Sequence, residues 1–537
     1  MSPPGGKIAH VSTRVSRAIA VVVLAQSLTP AGGSAQGAST PGGGWSAPAA
    51  LDGCALAVGP HVVFPSEGPS VPTGPGAIVW EEDRGCATGS AGPSVDLAVA
   101  AVGRDGQATP TTAPRLPGRP GGGPAAVGAS RGRIAVASPL LAGGSSPGVL
   151  LLQGRANRPL DGAGVPVPAA AGAFSLARAY LGDAALATVQ PGVGIEVRVE
   201  RYFRSAFERP LRIAIGPGRV SALTVTMDYR SDVLVAWQQN GAIYAHMLRA
   251  SGRPEPTQKV AASAANPQLQ ALVSDNDHGM IAWSSAEGPA GARTSVRIAF
   301  SAAGVRFSAT SLVASFDDRQ GAARRAGSLA LMRLSSENVM LAWTAAEHGH
   351  YVVRAAPAVF APTRPAARLS DAGAQSVLAD LAPGPAGEAV AVWRSTPSPG
   401  IAPDASRSEL WAARTFIERH GRVGLRAPER VASAGAILAP SVAVDPASDR
   451  AVAAWLALGA HPRVEYASGP GAAGYRPRTS SGVAGSSSPW RGIAIGAAGA
   501  AVVAALTTLA LRRRLRARRA GGASRGTRRR RSGRTPR

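Results

Sequence analysis

The sequence predicts an all-β fold, a β-propeller of seven or eight four-stranded blades, followed by one C-terminal transmembrane helix. Three observations predict it. Short apolar strands ending in tryptophan recur at Trp80, Trp237, Trp283, Trp343, Trp393 and Trp455. Consecutive repeats lie between 46 residues apart (Trp237 to Trp283) and 62 apart (Trp393 to Trp455), the range in which propeller blades occur. Finally, Gly492 to Leu511 carries no charge and is followed at once by Arg512-Arg513-Arg514.

The repeat is justified strand by strand. The tryptophan strands read AIVW, VLVAW, MIAW, MLAW, VAVW and VAAW. Two further apolar stretches fill the gaps without tryptophan, Arg133 to Ala137 and Ala184 to Val189. Before each tryptophan strand comes an alternating strand and a turn, as in Leu269 to Gly279 and Ser441 to Asp449. Asp, Asn and Gly in that turn favour a tight hairpin. After it comes a polar loop and a third strand: Ala242–Leu248, Ser295–Phe300, Tyr351–Ala355, Leu410–Phe416 and Arg463–Ala467. A Gly- or Pro-containing turn and a weaker fourth strand close the unit, as in Val305–Val313. Four antiparallel strands, repeated, is propeller grammar. One tryptophan per unit at one strand position is what a packing consensus predicts, so these indoles are expected in the core and not in a ligand-stacking ladder.

Both ends of the chain read as export and anchoring signals. Lys7, Arg14 and Arg17 precede the apolar run Ala18 to Leu28, and Gly33-Ser34-Ala35 supplies small residues for cleavage after Ala35, the three parts of a signal peptide. Residues 36–44 are expected as a flexible linker, 45–480 as the ectodomain and 481–491 as a second linker. As a helix, Gly492 to Leu511 would be about 30 Å long, enough to span a bilayer. The arginines after it place residues 512–537 in the cytoplasm as a disordered tail lying at anionic lipid.

Charge excludes one function class. The net charge is +25; Lys7, Arg14 and Arg17 contribute 3 and the thirteen arginines from Arg512 to Arg537 contribute 13, so 25 − 3 − 13 leaves +9 for the rest. A surplus that small is not a nucleic-acid footprint. Gly (65) and Pro (44) make about a fifth of the chain, which is short of a low-complexity composition.

Residues that could carry chemistry are few. Cys54 and Cys86 are the only cysteines; in an exported chain they are expected to form a disulfide. Two histidines and a carboxylate, Glu347, His348 and His350, are the nearest approach to a metal cluster, though their spacing matches no Zn²⁺ signature. The loops after the tryptophan strands carry Glu81, Glu82, Asp83, Glu287, Glu347 and Asp404. Carboxylates from different units converging around a channel would hold Ca²⁺ or act as paired acid and base; Glu287 and Glu347 are the catalytic candidates on that reading. No cofactor is predicted, because no phosphate-binding loop, nucleophile elbow, HExxH or dinucleotide fingerprint occurs.

The combination of an Asp-containing turn, a Val-Ala-Trp strand, a further strand and a closing turn covers Trp45 to Ser480 and is strongest from Ser221 to Ser468. It resembles the propeller-type repeats of large secreted proteins from high-GC bacteria, which are similar in shape to sialidase-like propellers. Trp45 to Leu51 (WSAPAAL) resembles the fourth-strand consensus standing alone at the N-terminal side. In such propellers that strand completes the last blade; Tyr475-Arg-Pro-Arg478 is a competing outer strand. An open repeat array or two smaller stacked β domains would be the alternative architecture. The resemblance does not extend to sialidase chemistry. There is no Arg-Ile-Pro motif near the start, and Ser274 to Gly279 before Trp283 has the wrong spacing for a Ser-x-Asp-x-Gly-x-Thr-Trp box.

The expectation is therefore a membrane-anchored extracellular recognition module for a glycan, cell-envelope polymer or protein, without catalysis. The alternatives are an extracellular glycoside hydrolase or lyase using the acidic loops, and a structural or sensor ectodomain.

Overall fold

The computed structural model describes residues 44–471, apart from short segments of which 66–73, 84–94, 112–118, 142–147, 359–365 and 397–406 are the longest. The expected signal peptide, membrane span, basic tail and candidate outer strand Tyr475 to Arg478 lie outside the described residues, as do Cys86 and Asp404. Among the described residues no helix is long and apolar enough to cross a membrane. Two single-turn 3-10 helices, Pro289–Gly291 and Ala322–Arg324, are the only helices described.

Eight antiparallel sheets follow one another along the chain. Sheet 1 contains His61–Val63, Gly76–Asp83, Val95–Val102 and Ala108–Thr111. Sheet 2 is built on Arg133–Leu141, flanked by Ala125–Gly128 and Arg119–Pro120 on one side and by Gly148–Arg155 and then Val165–Pro168 on the other. Sheet 3 runs Phe174–Arg178, Ala184–Gln190, Gly194–Glu200, Leu211–Ile213, and sheet 4 runs Val220–Met227, Val233–Gln239, Ala242–Leu248, Gln258–Ala261. Sheet 5 begins Ala265–Val273, Gly279–Glu287, Arg293–Ala302. Its outer strand, expected as one piece over Val305–Val313, is broken into Arg306–Phe307 and Ser311–Asp317, both paired to Arg293–Ala302. Sheet 6 runs Leu329–Arg333, Val339–Glu347, His350–Pro357, Ala367–Arg368. Sheet 7 has Gln375–Pro383, Glu388–Thr396 and Ser408–Ile417, with Val423–Leu425 and Glu429–Gly435 outside. Sheet 8 has Ile437–Val444, Ala451–Ala457 and Arg463–Ser468.

The outer strand of sheet 8 comes from the other end of the described chain. Ala49–Ala50 pairs antiparallel with Arg463–Ser468. The pairing is extended by Ser46 N to Ser468 O and Leu51 N to Val464 O, both 2.8 Å. The same segment then crosses to sheet 1, where Leu56 N donates to Glu81 O and Asp83 N to Cys54 O. The first strand of each sheet lies beside the first strand of the next, and Ile437–Val444 of sheet 8 lies beside His61–Val63 of sheet 1. The order therefore closes into a ring of eight, an arrangement consistent with a β-propeller.

The tryptophans show why the sheets pack in this way. Every second strand is buried on both faces, because it is flanked by a sheet on each side. Each tryptophan packs into the preceding sheet: Trp80 into sheet 8, Trp237 into sheet 3, Trp283 into sheet 4, Trp343 into sheet 5, Trp393 into sheet 6 and Trp455 into sheet 7. At these six of the eight joints one large side chain fills the space between adjacent sheets, and its burial is a major stabilising term. The six indoles are 0–3 % exposed, so they are core residues and present no surface for stacking a ligand.

Candidate functional site

The ring of first strands places one residue from each of seven sheets at matching register positions. In the six tryptophan-bearing sheets, the residue just before the tryptophan pairs across to His61, Thr224, Gln270, Ala330, Asp380 and Ser441. Sheet 3 has no tryptophan, but Ser175 occupies the matching place by a shared contact. Ser175 Oγ accepts from Val225 N, the residue after Thr224 in the next sheet. Asp380 Oδ2 likewise accepts from Val442 N, the residue after Ser441. Ser441 Oγ accepts from Val62 N, the residue after His61. An inner strand presents backbone N–H groups on its open edge, and these side chains satisfy them from the preceding sheet.

This inner belt is irregular where sheets 7, 8 and 1 meet. The strand pairing slips between Leu378 and Asp380 and again between Leu438 and Ser441. Bulges of this kind re-aim the side chains that follow them. Ala439 sits in the second bulge with φ 41°, a left-handed conformation that is costly for alanine. Gly59, on the way into sheet 1, lies so close to Ala439 that any Cβ at position 59 would overlap it. The result is a continuous polar chain in which Ser441 Oγ donates to Asp380 Oδ2 at 3.2 Å while accepting from Val62 N at 3.2 Å.

The electrostatics of the belt follow from enclosure. Burial pushes the Asp380 carboxyl up, against the opposing pull of N–H groups from Val442 and Leu381 and the Ser441 hydroxyl. Burial pushes the His61 imidazole down, so it is neutral at physiological pH. Both side chains are surrounded by protein yet partly open to solvent. Arg178 ends the first strand of sheet 3 and reaches past sheet 2 to donate from Nη1 to Phe64 O of sheet 1 at 2.9 Å; burial lowers its pKa to about 10.

The residues nominated by the sequence lie elsewhere and do not converge. Glu287 is held within sheet 5, accepting from Ser295 Oγ at 2.6 Å and from Arg297 Nη2 at 2.9 Å. Those contacts hold its carboxyl below the ordinary range, against a smaller effect of burial. Glu347 is held within sheet 6 by Arg354 through both oxygens, at 2.6 and 2.7 Å, and by Arg368 at 2.6 Å. The Arg354 hydrogen bonds, then Arg368, bring its pKa to about 2. A carboxylate so fixed stays ionised and does not deliver a proton. His350 pairs across from Glu347 and lies 3.5 Å from Gln375 Nε2 through Nδ1, while His348 sits in the turn at φ 49°. Among the described residues no three metal-ligating side chains come together. Glu81 is buried and accepts from Ser138 Oγ of sheet 2 at 3.3 Å. Among the described residues no cysteine is free.

The belt residues were missed because no motif marks them. Their types differ from sheet to sheet, and only the strand register makes them equivalent. One signal was present: His61 and Asp380 each place a titratable group in an apolar strand, HVVF and VLADLA.

No family model matches the chain, and no curated protein matches it. Solved structures do. A puromycin hydrolase is 14% identical with a TM-score of 0.39, covering 66% of this chain and 55% of that one; the chain thus spans about half the length of that enzyme. The NanB sialidase from Streptococcus pneumoniae is 8% identical with a TM-score of 0.34, covering 80% of this chain and 94% of that one. A polysaccharide lyase, an ulvan lyase bound to a GlcA(1-4)Rha3S unit, is 11% identical with a TM-score of 0.40, covering 69% and 96%. At these levels the similarity does not bear on the site.

Proposed function

We propose that the chain is an envelope-anchored recognition module: an eight-bladed propeller, exported by residues 1–35, tethered by Gly492 to Leu511 with a cytoplasmic basic tail, and binding an extracellular glycan without cleaving it. One observation carries the non-catalytic part. Glu287 and Glu347, the two catalytic candidates among the loop carboxylates, are each committed to guanidinium groups of their own sheet. A glycosidase acid must be protonated at its working pH, whereas hydrogen bonds from Ser295 and Arg354 hold the Glu287 and Glu347 carboxyls below the ordinary range. A rigid ring of sheets carrying variable connections suits recognition. The Cys54–Cys86 pair is read as a disulfide that fastens the crossing segment to sheet 1.

The test is to incubate the full chain with a panel of envelope and host glycans and analyse retained and released material by mass spectrometry. Intact glycan retained on the protein is expected. Cleavage products that disappear in Glu287→Ala and Glu347→Ala variants would establish a hydrolase or lyase instead.

A further inference from the structure

We propose that the inner belt itself is a binding site for a neutral, hydroxyl-rich ligand, an oligosaccharide, contacted by His61, Thr224 and Gln270; this rests on the recognition reading and gives it a location. The belt residues divide into two groups. Ser175, Asp380 and Ser441 are committed to backbone N–H groups of the next sheet. His61, Thr224 and Gln270 make no side-chain hydrogen bond among the described residues, although all three are only partly exposed. None of their polar atoms is among the buried side-chain atoms left without a partner, so they are reached by solvent and keep their hydrogen-bonding capacity for a ligand.

The chemistry of the uncommitted groups selects the ligand. A hydroxyl, a primary amide and a neutral imidazole each donate and accept, as sugar hydroxyls do. The only carboxylate of the belt, Asp380, already accepts from Val442 N, Leu381 N and Ser441 Oγ, which disfavours a cation. None of the three uncommitted groups carries charge, since burial keeps His61 neutral, which disfavours an anion.

Geometry sets the size. First strands of successive sheets approach within 8 Å, Cα to Cα, so a closed ring of eight has a Cα radius on the order of 10 Å. Thr224 and Gln270 stand on adjacent sheets 4 and 5, and His61 on sheet 1, four steps from sheet 5 in a ring of eight. A ligand touching both walls must be longer than a single sugar ring.

The test is calorimetric titration of the full chain with maltotriose, cellotriose, xylotriose and mannotriose, and with trigalacturonate as the charged counterpart. A neutral trisaccharide is expected to bind. Gln270→Ala, Thr224→Val and His61→Ala should each weaken it about tenfold or more, while His61→Gln retains most of the affinity and the outer Arg293→Ala leaves it unchanged. Thermal midpoints identify any variant that fails to fold, and Gln270→Glu, which keeps the side-chain volume, then replaces Gln270→Ala. Binding that is equal in parent and belt variants would overturn the belt site while leaving the recognition reading in place. Binding of trigalacturonate alone, or of none of the five probes, would also overturn it. Capture of some other glycan from the envelope panel would then show whether the recognition reading survives.

Discussion

Arg414 of sheet 7 grips Asp449 of sheet 8, with Nη1 3.0 Å from each carboxylate oxygen, although the Asp449 side chain is wholly inaccessible to solvent. The same guanidinium bonds Pro470 O at 3.1 Å and lies 3.4 Å from Glu388. One side chain thereby ties two sheets and the end of the described chain together. Removing one partner of a buried pair leaves the other charge unpaired, so Arg414→Ala should cost about 3–5 kcal/mol. Asp449 has φ 55°, a conformation asparagine tolerates and alanine does not. Asp449→Ala should therefore be more damaging than Asp449→Asn. Urea unfolding midpoints of the three variants check the order.

Glu347 makes stability depend on acid. Its pKa falls from 4.5 to about 2 in the folded chain, chiefly through the Arg354 hydrogen bonds. A carboxyl lowered on folding stabilises the fold fully above its unfolded value, and the contribution is lost as pH falls from about 4.5 towards 2. With solvent screening of a partly exposed group, Glu347→Gln should cost about 1–2 kcal/mol at pH 7. The difference between parent and variant should shrink below about pH 4 and vanish only below about pH 2. Melting curves across that range measure it; a constant difference would show that the ion pair is not its source.

The tryptophans are not equivalent. Nε1 of Trp237, Trp283 and Trp343 is buried without a hydrogen-bond partner, whereas Trp455 Nε1 donates to Glu465 Oε2 at 3.2 Å. Trp283→Phe removes an unsatisfied donor together with some volume and should cost less than Trp455→Phe, which also loses a charge-assisted bond of about 1–2 kcal/mol. Trp283→Ala should cost about 3–5 kcal/mol, since the joint to sheet 4 loses its filling. Chemical denaturation of the three variants is the measurement.

Ring closure hangs on a short segment. Leu51 is 4 % exposed in the cluster that joins sheets 8 and 1. Leu51→Asp buries a charge among apolar groups and should cost several kcal/mol. Hydrogen exchange should then rise first at Arg463–Ser468, whose outer partner is the Ala49–Ala50 strand. In the parent protein the earliest exchange is expected at the joint of sheets 2 and 3. Its buried apolar cluster, among the described residues, holds only Ala137, Val149, Leu151, Val167 and Leu186, with no tryptophan. A segment with few buried contacts opens at low cost.

The sheets themselves were legible in the order of the residues. A Val-Ala-Trp strand announces burial on both faces through its continuous apolar run, and its recurrence announces radial packing, because period and residue type are local properties. Even Arg133 to Ala137 and Ala184 to Val189, which lack the tryptophan, fall on second strands of sheets 2 and 3. Which side chains meet is settled only once the chain is folded. Glu287 and Glu347 read as free acids in polar loops, but strand pairing brings Arg297, Arg354 and Arg368 onto them. His61, Ser175, Thr224, Gln270, Asp380 and Ser441 share no motif. They become one belt because each is set by cross-strand register against a distant strand, and register is fixed by hydrogen bonds that no local pattern encodes.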